Sequence, residues 1–164
     1  MHTSIGFYES KVLFTGLDRG DYSWYKVYKL RIAESGENMK VERLDHLVIT
    51  TQNLQACLHF YRDILGMEVV EQGGRYALCF GEQKFNIHQK KAEFLPAAAH
   101  PTYGSLDLCL VVAEKLAAIK KEVEAKGYPI ELGPVVRHGA LGEMKSLYVR
   151  DPDGNLVELC HYGK

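Results

Sequence analysis

The sequence predicts an α+β fold made of two consecutive βαβββ modules, over about residues 44–90 and 106–162. Each segment opens with an alternating strand that leads into an amphipathic helix ending at a glycine. Each then continues with three short segments that have strand character. A chain of 164 residues can bury one full hydrophobic core, so we expect both modules to form a single domain over residues 41–164.

The elements of the first module follow from apolar periodicity and turn residues. Residues 44–50 alternate as a strand, Asn53 is the predicted N-cap of the helix, and Gly66 is the residue that ends it. Glycine-containing turns separate the later strands, which are predicted at residues 67–71, 76–80 and 84–89.

The second module repeats this layout after a linker at residues 91–105 that is rich in proline and alanine. A strand at residues 106–112 precedes a helix that carries Leu116, Ile119 and Val123 on one face. Two glycines within residues 137–143 predict a mobile loop near the site. The later strands are predicted at residues 129–132, 144–149 and 155–161.

Composition excludes several classes of function. Lys and Arg number 20 against 21 Asp and Glu, so the chain lacks the basic surplus that nucleic acid or anionic lipid would need. No apolar run approaches the ~20 residues of a membrane span, and no signal-peptide pattern opens the chain. These features predict a cytoplasmic protein. Its cysteines, widely spaced in apolar segments, are predicted to be reduced and buried: Cys57, Cys79, Cys109 and Cys160.

Residues 1–40 belong to neither module. They are predicted to be an N-terminal extension that is peripheral, or not native to the core. Alternation of apolar and basic residues near Tyr28 also allows a docking strand for a partner subunit. Both interpretations stay open.

The residues with chemical potential lie on the first and last strands of the modules. The turn at residues 151–154 leads into a strand that carries Glu158 between apolar neighbours, and His46 occupies a similar strand far upstream. His88 and Asp107 offer a further imidazole and carboxylate. The solvated face of an ordinary strand shows the same alternation. Recurrence in both modules favours a metal site assembled across the sheet.

Three motifs resemble the vicinal oxygen chelate (glyoxalase/bleomycin resistance/dioxygenase) superfamily: L-D-H-L-V-I-T, F-Y-R-D-I-L-G-M-E and D-P-D-G-N-L-V-E-L. Within it the chain is similar to the glyoxalase I-like branch, which includes bacterial proteins labelled for virulence. The resemblance spans about residues 43–162. It implies a cupped mixed sheet, a homodimer, and one divalent metal per site held by His46, His88, Asp107 and Glu158. The family usually has Glu in place of His88 and His in place of Asp107, so these two ligand types are interchanged.

The resemblance also implies a reaction. It is that of a lactoylglutathione lyase, acting on the hemithioacetal of a 2-oxoaldehyde and a thiol, such as methylglyoxal and glutathione. The reaction passes through a metal-bound enediolate, with Glu158 as the catalytic residue that moves the proton. Ni²⁺, Zn²⁺, Co²⁺ and Mn²⁺ all suit such ligands. The candidate substrate contacts are Arg75, Arg137, His138 and Lys145.

Two other functions remain open on the same fold. A dioxygenase would use Fe²⁺ with His46, Glu158 and a second imidazole, for which His88 is the candidate. A non-catalytic resistance protein would bind a small molecule in a cleft between chains. The retained set of four ligand residues favours the lyase, whereas the departure at Asp107 favours the binding protein.

Overall fold

The computed structural model describes residues 39–163, so all but Met39 and Lys40 of the predicted extension lies outside the described residues. No helix in this range is long and apolar enough to cross a membrane. A π-helical turn, His59–Ile64, continues the first helix. The helices and strands are β1 His46–Thr50, α1 Leu54–Leu58, β2 Glu68–Gln72, β3 Arg75–Phe80, β4 Gln83–His88, β5 Asp107–Val111, α2 Leu116–Ala125, β6 Leu132–Gly139, β7 Gly142–Arg150 and β8 Leu156–His161.

The strands form two four-stranded sheets with the same topology. Their orders are β1-β4-β3-β2 and β5-β8-β7-β6. In each sheet the first and last strands of a module pair in parallel, and the other pairs are antiparallel. Two parallel strands need a crossover connection between them, and the helix of each module is the first element of that connection. This arrangement confirms the prediction of a mixed α+β fold built from two βαβββ modules.

The first helix begins and ends as local sequence predicts. The Asn53 side chain accepts a hydrogen bond from the Ala56 backbone N–H at 3.1 Å, which satisfies one of the free donors of the first turn. The helix ends at Gly66, where a φ of 76° favours glycine. Its apolar face packs through Phe60 and Tyr61, which are fully buried.

Both modules contribute to one hydrophobic core. The Phe60 ring lies 4.9 Å from the ring of Tyr61 and 5.1 Å from that of Tyr128, which follows the second helix. Ile49 and Phe85 from the first sheet join the same cluster as Val149 and Leu159 from the second. The opposite faces of both sheets carry His46 and Glu158. Core packing therefore leaves the faces with the predicted ligands outside the core.

A buried carboxylate connects the modules at the turn before β8. Asp151 is 4% exposed, and it accepts a hydrogen bond from the Tyr61 hydroxyl at 2.9 Å. It also accepts from the Asn155 side chain at 2.7 Å and from the backbone N–H groups of Asn155 and Asp153 at 2.8 and 3.0 Å. Burial, followed by the charge of Asp151, raises the pKa of Tyr61, so the phenol stays protonated as a donor.

The predicted mobile loop at residues 137–143 is wrong. These residues lie in a hairpin, in which β6 pairs with β7 as far as Gly139 and Gly142. The strand predicted at residues 129–132 is wrong in its position, because β6 covers Leu132–Gly139 and includes Gly133 and Pro134. β6 is an edge strand, where proline is tolerated, and its register shifts between Leu132 and Val135. A Cβ at Gly133 would lie 2.5 Å from the Ser146 backbone oxygen, so glycine is needed there.

All four thiols are unpaired, as predicted. Cys57 and Cys160 are buried and Cys79 is half-buried, but Cys109 is exposed, contrary to the expectation of burial. Burial raises the pKa of Cys57 to about 12, so this thiol is protonated at neutral pH.

Candidate metal centre

Glu158 lies in the middle of the second sheet and carries an unsatisfied oxygen. It pairs with Cys109 of β5 on one side and with Tyr148 of β7 on the other. Its Oε1 atom is buried and has no hydrogen-bond partner among the described residues. Such an atom loses its hydration without compensation, so it calls for a proton, a cation or a ligand. Ser146 Oγ, on the same face, is also buried and has no partner within residues 39–163.

Tyr148 connects Glu158 to Arg137. The Arg137 Nε atom donates a hydrogen bond to the Tyr148 Oη atom at 3.0 Å, and its guanidinium carbon lies 5.5 Å from the ring centroid. Burial raises the pKa of Tyr148; the hydrogen bond from Arg137 acts to lower it, and the neighbouring Glu158 acts to raise it. Tyr148 was not among the predicted site residues. Its alternation with Ser146 was visible in the sequence, but only the pairing of β7 with β8 places it beside Glu158.

His46 opens β1, and its ring is exposed. Its Nδ1 atom lies 2.8 Å from the Asp45 Oδ1 atom. The hydrogen bond to His46 lowers the pKa of Asp45, so this carboxyl is ionised at neutral pH. A histidine that donates through Nδ1 to a carboxylate presents Nε2 as an acceptor, which is the usual arrangement of metal-binding histidines.

The register of the first sheet separates His46 from His88. His46 pairs with Lys84, whereas His88 pairs with Thr50 at the other end of the β1 and β4 pair. Four residue steps along a strand correspond to about 13 Å, at a rise of ~3.3 Å per residue. Two imidazoles that share one ion have Nε2 or Nδ1 atoms only about 2 Å from it. This separation does not favour His46 and His88 as joint ligands.

The two parallel pairs define which residues correspond between modules. In the second module, Glu158 pairs with the residue two positions after Asp107. In the first module, the residue two positions after His46 pairs with Asn86. Asn86 is therefore the counterpart of Glu158 by register. His88 lies two residues further along β4.

Of the remaining predicted site residues, Arg75 lies on β3 of the first sheet, and the others divide between the two faces of the second sheet. Asp107 opens β5 and is exposed on the face of Glu158. Arg137 lies on the face of Glu158 too. Lys145 and His138 alternate with residues of that face, so they lie on the opposite face of the second sheet. The structure thus brings Asp107 and Arg137, but not Lys145 and His138, to the side of Glu158.

The predicted ligands do not converge within one chain. His46 belongs to the first sheet, and Asp107 and Glu158 belong to the second. Within residues 39–163 no three His, Cys, Asp or Glu side chains are grouped closely enough to hold a metal ion. Glu158 and His46 have the chemistry that a metal ligand needs, but each contributes only part of a coordination shell.

Comparison with known proteins identifies relatives of this chain. The family model described as Glyoxalase/Bleomycin resistance protein/Dioxygenase superfamily matches residues 43–159. The glyoxalase domain-containing protein RDO1 of Mycosarcoma maydis is 49% identical over 125 residues, which are 76% of this chain and 70% of that protein. Virulence protein STM3117 of Salmonella typhimurium is 44% identical over 76% of this chain and 87% of its own length.

Solved structures have the same fold. The crystal structure of STM3117 superposes with a TM-score of 0.74 and covers 76% of this chain and 100% of that chain. A lactoylglutathione lyase from Agrobacterium tumefaciens has a TM-score of 0.58 at 25% identity, covering 74% of this chain and 95% of that chain. The family, the fold class and the similarity to a virulence-labelled bacterial protein are thus confirmed.

Proposed function

Because the chain belongs to the glyoxalase/bleomycin resistance protein/dioxygenase superfamily, we propose that it is a metal-dependent lyase of the glyoxalase I type. Its substrate is the hemithioacetal of a 2-oxoaldehyde and a thiol. The observation that carries this proposal is the buried Oε1 atom of Glu158, which has no partner among the described residues. The similarity to a lactoylglutathione lyase supports the type of reaction.

Glu158 is the proposed proton carrier. Its carboxylate accepts the proton from the carbon that bears sulfur and returns it to the neighbouring carbon, which isomerises the hemithioacetal to a thioester. The hydroxyl of Tyr148 interacts with this carboxylate and orients it, while Arg137 holds the phenol in place. A positioned acid or base of this kind typically contributes ~10²- to 10⁴-fold to the rate.

The proposed metal ligands are His46, Asp107 and Glu158, with Asn86 at the fourth position by register. When bound, a divalent metal supplies Lewis-acid stabilisation of negative charge on the substrate oxygens. Nitrogen and oxygen donors suit Ni²⁺, Zn²⁺, Co²⁺ or Mn²⁺. His88 remains the ligand that the family resemblance implies, and the register favours Asn86 over it.

The site is proposed to form between two chains of a homodimer. The open faces of the edge strands β1 and β5 carry exposed valines beside the predicted ligands, Val48 at 38% and Val111 at 67% exposure. Exposed apolar side chains on these strands favour burial against a partner. A two-fold dimer that places the first sheet of one chain against the second sheet of the other joins His46 with Glu158 twice.

Complementation between inactive variants tests the shared site. His46→Ala and Glu158→Gln are each expected to be inactive. Refolding an equal mixture of the two is expected to restore ~25% of the wild-type turnover, because half of the dimers are mixed and each holds one intact site of two. Each variant refolded alone is the control. A mixed dimer, verified by mass, that stays inactive would show that both residues act within one chain.

Asp45 is expected to support the metal through His46. Asp45→Ala removes the acceptor that orients the imidazole, so metal affinity should fall by about 10- to 100-fold. Calorimetric titration with Zn²⁺ measures this change. Glu42→Gln, which removes a nearby exposed carboxylate, is the matched control. An unchanged affinity in Asp45→Ala would argue against His46 as a ligand.

Metal content and turnover test the proposed function itself. The purified protein is assayed with Ni²⁺, Zn²⁺, Co²⁺ and Mn²⁺ on methylglyoxal with glutathione. Turnover that requires metal is expected. Metal binding without turnover would instead indicate other chemistry on this fold, such as the dioxygenase reaction, and failure to bind metal would favour a small-molecule-binding protein.

A further inference from the structure

A polar cavity of ≈ 310 Å³ lies on the open face of the first sheet. Its floor includes Ala77 of β3, which pairs with Asn86 of β4. Ala77 has the shortest side chain among its neighbours on this face, so the taller side chains around it enclose a hollow. The volume suits a small organic molecule or one end of a larger one.

At one wall of the cavity, the ring of Phe94 contacts the side chains of Arg75 and His88. The Arg75 guanidinium carbon lies 4.2 Å from the centroid of the Phe94 ring. The His88 ring meets the same phenyl ring edge to face, with 5.1 Å between the centroids. Phe94 belongs to the linker between the modules, so these contacts attach the linker to the first sheet. They also restrict the orientation of Arg75 before any ligand binds.

Each polar side chain of the lining can donate a hydrogen bond. Lys84, Asn86 and His88 project from successive positions on the open face of β4, and Gln72 lies at the edge on β2. None of the lining residues within the described part of the chain is acidic. The charge of Asp45 interacts with Lys84, although the hydrogen bond of Asp45 goes to His46. Glu68 lies on the same open face in the row of Lys84, at the other end of the face from Arg75. The guanidinium edge of Arg75 has no acceptor among the described residues.

We propose that this cavity binds the carboxylate group of a small organic substrate, with Arg75 as the principal contact. A planar guanidinium matches a carboxylate through two parallel hydrogen bonds. Lys84 and the Asn86 amide lie between this contact and His46, so a molecule held by Arg75 extends towards the proposed metal ligands. The inference rests on the proposed function for its relation to the reacting centre. Carboxylate binding itself requires no turnover.

Titration of the full chain with succinate tests the site, with the Arg75 Nε–Hε signal followed by NMR. A saturable shift at millimolar succinate is expected, with affinity at least about tenfold weaker in Arg75→Gln. Arg75→Lys should fall between the two, because it keeps the charge but loses the planar pair of donors. Lys121→Gln, which removes an exposed cation from helix α2, should bind succinate like the wild type. Spectra of each variant verify the fold.

Four results would overturn the proposal. They are an absence of saturation, an equal affinity in Arg75→Gln, equal binding of uncharged succinamide, and tighter binding of inorganic phosphate than of succinate. If succinate binds as expected but methylglyoxal with glutathione is not turned over, the carboxylate site stands and the lyase reaction fails.

A kinetic comparison extends the test if the lyase reaction is present. Arg75→Gln should reduce kcat/KM at least about tenfold for the hemithioacetal of glutathione, which carries carboxylates. It should leave kcat/KM unchanged for that of 2-mercaptoethanol, which carries none. An equal loss on both thiols would mean that Arg75 acts on the structure of the site rather than on the carboxylate.

Discussion

Glu158→Gln is expected to lose at least about 100-fold in kcat at saturating metal, because the amide cannot accept the transferred proton. The amide keeps the shape of the side chain, and the carboxylate oxygen at Oε1 has no described partner to lose. The free energy of unfolding of the metal-free protein should therefore change by less than ~1 kcal/mol. Turnover on methylglyoxal with glutathione and urea unfolding measure the two quantities.

The metal response separates a chemical role of Glu158 from a structural one. A metal that binds only the folded protein raises its unfolding midpoint. This increase should shrink in Glu158→Gln, because one ligand is weakened. Glu143→Gln, on the adjacent strand β7, is the matched control and should keep both turnover and the metal response. Full activity in Glu158→Gln would exclude Glu158 as the proton carrier.

Asp151→Ala is expected to destabilise the fold by about 3 to 5 kcal/mol, the largest effect on stability that we predict. The substitution leaves the buried Tyr61 hydroxyl and the donors of Asn155 and Asp153 without their acceptor. The thermal midpoint should fall by roughly 10 to 20 °C. Urea unfolding followed by circular dichroism gives the free energy directly.

Two comparisons identify the cause of that loss. Tyr61→Phe removes a single donor and should cost only ~1 kcal/mol, since the other hydrogen bonds to Asp151 remain. Asp63→Asn changes an exposed aspartate that pairs with Arg62 and should have an effect below ~1 kcal/mol. If Asp151→Ala is no more destabilising than Asp63→Asn, the carboxylate does not connect the modules energetically.

Much of the fold follows from short stretches of the chain. Three features depend only on residues that are close in sequence: the cap at Asn53, the helix end at Gly66 and the strand that carries Glu158. Alternation also placed His46 and Glu158 on faces away from their apolar neighbours. The edge strand β6 was predicted too early, at residues 129–132, whereas a bulge against β7 accommodates Gly133 and Pro134 within the observed strand.

The partners of each candidate side chain depend on the tertiary structure. Periodicity predicts the face on which His88 lies, but only the parallel pairing of β1 with β4 sets it opposite Thr50 and makes Asn86 the counterpart of Glu158. The register of these parallel pairs arises from hydrogen bonds and packing between residues about 40 to 50 positions apart in the chain. For the same reason the contact of Tyr148 with Glu158, and the stack of Arg75 on Phe94, appear only once the strands and the linker are assembled.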